Sequence, residues 1–158
     1  MYAWRRSISV FLALAGVAVS LGLALVLILA DKRGPAAHEM IVVDDFSLFF
    51  NFLFAGVAGM IVLGSVDYLQ RNRFQAEYLG LILASSAAMM LMAAGTDLIM
   101  IFVALETQAV AFYVLVGFLK DGKSSEASLK YLLLGATSAL LGRFDLFPAL
   151  LTLSLIHI

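Results

Sequence analysis

Glu106 is the residue of this chain with the most to explain. It stands inside the run IFVALETQAVAFYVL, residues 101–115, which holds no other charged side chain. An ionisable group at bilayer depth costs on the order of 3 kcal/mol on insertion scales, and is read first as functional. Desolvation favours its neutral form, whereas a cation beside it favours the carboxylate. A carboxyl balanced between the two can take up and release a proton, as a relay requires. Helical spacing puts Ile99, Phe102, Val110 and Tyr113 around it, and Tyr113 supplies the only polar tip in reach. No cation lies within the run, so a charged partner must come from another helix. The plainer alternative is a protonated acid that bridges two helices by a hydrogen bond.

Lys130 and Glu126 form the second constellation. Lys130 sits at the start of an apolar run, where the helix dipole disfavours a cation. Glu126 precedes it by one helical turn, in the favourable acid-then-base order, so the two can pair on one face. Ser124 or Ser125 is placed to cap that turn. The plainer alternative is a snorkelling lysine in a surface ion pair.

The other polar residues read as structural. Asp97 is placed to cap a helix, and Asp44 and Asp45 to start one. Asp67, Arg71 and Arg73 fit a solvated loop, and Gln108 faces away from Glu106. Met89, Met90 and Met92 suit packing. His38 and His157 are too far apart in sequence to form a ligand pair, and zero cysteines exclude disulfides, thiolate metal sites and cysteine-held clusters. No phosphate-binding loop and no nucleophile–base pair is visible.

The elements that carry these residues follow from composition. The 158 residues are 63% apolar and 13% charged, with a mean hydropathy of +1.04. Soluble domains are about half apolar and a quarter charged, so this chain needs the lipid bilayer as solvent. A net charge of −1 offers no footprint for nucleic acid.

A spanning helix needs roughly 17 to 25 mostly apolar residues. Four stretches qualify, at 8–30, 46–66, 78–94 and 98–119, and a fifth, partial one runs over 129–141. The fold class expected is an all-α membrane protein, a polytopic bundle of transmembrane helices. A signal peptide is the alternative for the first span, but its apolar run is too long for that role. Arg5, Arg6, Arg71, Arg73, Lys120 and Lys123 fall on one side of such a bundle, against Lys32 and Arg33 on the other. The N-terminus is therefore predicted to be cytoplasmic. The third span is expected to pack through Gly80, Ala84, Ser85, Ala87 and Ala88, because small residues let backbones approach.

Four segments, MIVVDDFSLFF, SVDYLQ, AEYLGLILASSAAMMLMAAGTDLIMIFVALETQAVAFYVLVGF and SSEASLKYLLLGATSA, occur in the order and spacing of a known family. They resemble subunit N of the proton-pumping NADH–quinone oxidoreductase, respiratory complex I, more than its sister subunits or the multisubunit antiporters. The resemblance covers about residues 40–141.

That resemblance implies an antiporter-like fold of inverted repeats with broken helices. It also implies proton translocation coupled to quinone reduction, with other membrane-arm subunits as partners. Such a protein sits in the cell's inner (cytoplasmic) membrane. NADH, FMN, iron–sulfur clusters and quinone are implied elsewhere in the complex, and no cofactor or metal in this subunit. Glu106 falls on the family's fifth-helix acid, Lys130 on a lysine opening the sixth helix, and Glu126 on an acid one turn before it.

The chain also departs from the family. Its usual first helix and its seventh-helix lysine have no counterpart here, and Thr107-Gln108 makes the surroundings of the acid more polar. Residues 142–158, GRFDLFPALLTLSLIHI, diverge and are expected to be a truncated or artefactual tail that leaves the isolated fragment inactive. The alternative functions are a cation/proton antiporter subunit, a membrane-bound hydrogenase subunit, or a passive scaffold without proton chemistry.

Overall fold

Apolar runs of bilayer length fold as helices because only a helix satisfies its own backbone polar groups in lipid. The computed structural model describes residues 2–31, 33–37, 39–69, 74–118 and 122–156, with side chains placed for all but 2–7, 67–69 and 141–156. The elements are α1 (Tyr2–Leu29), β1 (Gly34–Ala36), β2 (Ile41–Val43), α2 (Asp45–Leu69), α3 (Gln75–Ala94), α4 (Leu98–Val116) and α5 (Gly122–Ile156). Among the described residues, four stretches are long and apolar enough to cross a membrane: Ile8–Leu29, Asp45–Val66, Gln75–Ala94 and Leu98–Val116. The protein is thus an all-α polytopic membrane bundle with one small hairpin. It divides into two compact units, Met1–Leu115 and Val116–Ile158.

In the first unit α1, α2 and α3 pack closely on one another. Ala13, Val62 and Leu79 form one buried cluster, and Val17, Ala55 and Ala58 a second. Leu83 packs against both. Besides Ser47 in its first turn, the buried positions of α2, Leu48, Ala55, Ala58, Val62 and Ser65, recur at helical spacing along one stripe. A Cβ at Gly59 would sit 3.5 Å from the Val17 side chain, which shows how near α1 and α2 come. Buried serines are satisfied within their own helices: Ser65 donates to the Ile61 carbonyl at 2.6 Å, and Ser85 and Ser86 to that of Ile82 at 2.9 Å. Met90 does pack, and its sulfur accepts from the Ser20 hydroxyl at 3.8 Å, joining α3 to α1.

The packing face of α3 differs from the expected one. Ser85 and Ala88 are buried, but Gly80, Ala84 and Ala87 are exposed. Gln75, Leu79, Ile82 and Ser86 complete the inner stripe instead. Both faces of a spanning helix are apolar, so small size alone did not tell inside from outside.

Residues 31–45, the connection between the first two spans, contain an antiparallel hairpin pairing Gly34 with Val43, Pro35 with Val42 and Ala36 with Ile41. Its turn holds Ala37 at φ 50° and Glu39 at φ 68°, and Arg33 pairs with Asp45 at 2.9 Å and Asp31 at 3.4 Å near its base. Asp44 and Ser47 then cap α2 reciprocally. The Ser47 amide donates to the Asp44 carboxylate at 2.7 Å, and the Asp44 amide to the Ser47 hydroxyl at 3.0 Å.

The second unit is α5. It starts at Gly122, so Ser124 and Ser125 lie within the helix and do not precede it as caps. Good helix formers, Glu126, Ala127, Leu129 and Lys130, carry the helix through this segment. It continues through Ile156, beyond the expected partial span at 129–141.

Candidate functional site

The Gly95-Thr96-Asp97 turn starts α4. Asp97 caps it as the sequence predicts, its carboxylate accepting from the Ile99 amide at 3.2 Å and its carbonyl from the Ile101 amide at 3.0 Å. Glu106 follows eight residues after Leu98. At about 1.5 Å per residue this is roughly 12 Å into a helix about 28 Å long, close to its centre.

Orientation matters as much as depth. The buried residues of α4 are Ala104 and Ala111, which share one stripe. Two residues of an α-helix subtend about 200°, so Glu106 lies almost opposite Ala104. Its neighbours on that outer face are Ile99 and Val110, both exposed, and Phe102 and Tyr113, both half-buried. Glu106 itself is half-buried. Among the described residues no cation lies within ion-pair distance of its carboxylate. Gln108 is half-buried near the alanine stripe, away from Glu106, and Thr107 turns its hydroxyl back to the Val103 carbonyl at 2.8 Å. Neither supplies the acid with a partner.

Glu126 and Lys130 behave differently. The Lys130 ammonium donates to the Glu126 carboxylate at 2.6 Å, the one-turn pair that the spacing predicts. Both side chains are mostly exposed, 67% for Glu126 and 70% for Lys130. Glu126–Lys130 lies in the second unit and Glu106 in the first.

Among the described residues no group of histidine and carboxylate side chains could hold a metal ion. His38 and His157 lie outside the described residues, as do Arg71, Arg73 and Lys120.

What the arrangement can do chemically is limited and specific. A carboxyl near the centre of a helix of spanning length, on the face turned from the buried alanines, can exchange a proton with a group brought to it from outside the close-packed trio. A paired Lys130 can hold positive charge against the α5 first turns. Sequence reasoning found both features but missed the hydrogen bonds of Thr96 to the Met40 and Glu39 carbonyls, which depend on the hairpin and had no local signal.

Comparison with known proteins bears on this site. Residues 94–155 match the family described as NADH:quinone oxidoreductase/Mrp antiporter, transmembrane, and that stretch contains Glu106, Glu126 and Lys130. A NADH-quinone oxidoreductase subunit N from Dehalococcoides mccartyi is 42% identical over 132 residues, 81% of this chain and 27% of the relative. One from Koribacter versatilis is 46% identical over 111 residues, 69% of this chain and 22% of the relative. A third, from Solibacter usitatus, is 39% identical over 134 residues, 84% and 28% of the two chains. The chain thus spans about a quarter of the length of these curated relatives.

Proposed function

The chain belongs to the antiporter-like family of NADH-quinone oxidoreductase subunit N, and on that premise we propose that it acts as a membrane-arm subunit translocating protons in step with quinone reduction. Glu106 is the proton-carrying group on this reading. The observation that supports it most is an acid at the centre of a spanning helix, on the face turned from the buried alanines. An acid kept only to hold two helices together would point into the packed stripe. Lys130 is the second proton-transfer residue, with Glu126 holding its position through their ion pair.

The redox steps belong to other subunits, with NADH, FMN, iron–sulfur clusters and quinone bound there. The cysteine-free chain has no thiolate ligand for a cluster. Its partners are the neighbouring membrane-arm subunits, and its setting is the cell's inner membrane with the N-terminus cytoplasmic. The excess of arginine and lysine on one side of the bundle supports that orientation. A label on Lys123 that reacted only from the outer face would overturn it.

The deciding experiment is Glu106→Gln in the assembled complex, measuring proton translocation against NADH oxidation in inverted membrane vesicles. Loss of translocation is expected. Full translocation would remove Glu106 from the pathway and leave a passive scaffold.

One observation favours a second reading: the matched family description spans Mrp antiporters as well as the oxidoreductase. A cation/proton antiporter would show sodium-dependent proton movement without NADH, and the oxidoreductase subunit would not.

A further inference from the structure

The hairpin and the α3–α4 turn are fastened together by two hydrogen bonds from Thr96. The Thr96 amide donates to the Met40 carbonyl at 3.0 Å, and the Thr96 hydroxyl donates to the Glu39 carbonyl. Ile41 and Gly95 form an antiparallel bridge beside them. Space at the junction is tight: a Cβ at Gly95 would lie 3.0 Å from the Ile101 side chain and 3.3 Å from the Leu91 carbonyl oxygen. Asp97 then begins α4 directly, with its carboxylate on the Ile99 amide.

These contacts gain weight from what α4 lacks. Among the described residues, α1, α2 and α3 approach one another closely, and α4 approaches none of them as closely along its length. Its buried residues are two alanines, which offer little side-chain surface to key a fixed depth or rotation. In lipid, helix position is set by packing and by anchors at the ends. Among the described residues the turn at Thr96 is such an end anchor for α4.

We propose that Thr96 is a positioning residue, which sets the depth and rotation of α4, and with them the place of the Glu106 carboxyl, by clasping the α3–α4 turn to the hairpin. Part of this rests on the reading of Glu106 as the proton carrier; the clasp itself does not. Thr96 is ten residues before Glu106, so a small tilt or slide at the turn is delivered to the carboxyl as a displacement in the membrane plane or along its normal. A misplacement of about 1 Å can cost a transfer step as much as a hundredfold.

The test uses the full-length subunit with Thr96→Val, which keeps the shape and removes the hydroxyl donor, and Thr96→Ser, which restores it. Spin labels on single cysteines at Val103 and Val110, in lipid vesicles, report depth as the ratio of collisions with oxygen to those with a water-soluble nickel complex. Thr96→Val should change that ratio at both labels, and Thr96→Ser should return it to the parental value. Infrared difference spectra against Glu106→Gln should show a shifted Glu106 carbonyl band in Thr96→Val alone. In the assembled complex, translocation should fall severalfold in Thr96→Val and recover in Thr96→Ser.

Unchanged collision ratios in Thr96→Val would overturn the clasp, whatever Glu106 does. Changed ratios with full translocation in Glu106→Gln would uphold the clasp and remove the proton role instead.

Discussion

Two acids in this chain, Glu106 and Glu126, differ in their surroundings in sequence and in structure alike. Glu126 has a lysine one turn away on its own helix, and the two side chains meet at 2.6 Å while mostly exposed. Glu106 has no cation within reach on its own helix, and among the described residues no ion pair reaches it. The difference is one of reach. A pair at one-turn spacing forms wherever the helix forms, because the backbone has already placed both partners. A lone acid at the centre of a span is completed only by something that moves up to it. The first arrangement holds charge in place, and the second can respond to a change elsewhere.

The sharpest way to break this comparison is to neutralise each acid in turn. Glu106→Gln should lower proton translocation in the assembled complex by about a hundredfold or more, the usual scale for losing a positioned proton-transfer group. Glu126→Gln should cost far less, because the pair is mostly exposed and Lys130 itself remains. Equal losses from the two substitutions would abolish the distinction.

The close-packed trio provides the next contrast. Ala58→Phe or Ala88→Phe forces a ring into a contact with no spare room and should destabilise the subunit by about 1–3 kcal/mol in detergent unfolding. Ala84→Phe, on the exposed face of α3, should change it by less than about 0.5 kcal/mol. A large effect at Ala84 would mean that this face is covered in the complete protein.

Smaller still is the reciprocal cap at the start of α2. Asp44→Ala removes one partner of the Ser47 amide and should cost about 1 kcal/mol in the same unfolding measurement. The smallest effect belongs to the ion pair itself. Lys130→Gln should destabilise by about 0.3–0.5 kcal/mol at low salt, and by less as salt is raised, since the pair is solvated.

The spans were legible in the sequence because lipid demands length and apolarity, and both are written residue by residue. Each of the four ends within three residues of its expected position. The Glu126–Lys130 pair and the Asp97 cap were legible for a related reason, since each lies within one helical turn. The α3 packing face was not. Gly80, Ala84 and Ala87 are as small as Ala88, and nothing in a uniformly apolar helix marks which side meets protein. The hairpin was invisible because its strands, Gly34–Ala36 and Ile41–Val43, are three residues each and lack an Asn-Gly or Asp-Gly turn. The β-branched run Ile41-Val42-Val43 was the one available signal. Thr96 was missed with it, because its partners are remote in sequence.

That remoteness has a consequence in time. The hydroxyl of Thr96 and the carbonyl of Glu39 are 57 residues apart along the chain. At about 5–20 residues per second of synthesis, roughly 3 to 11 seconds separate the emergence of the first from that of the second. During that interval α2 and α3 must enter the membrane and carry the turn to the side where the hairpin waits. The clasp can therefore close only once α2 and α3 have both crossed, and its closure records that they have. Failure of either one to cross would leave Thr96 on the far side of the bilayer from Met40, with no partner to find.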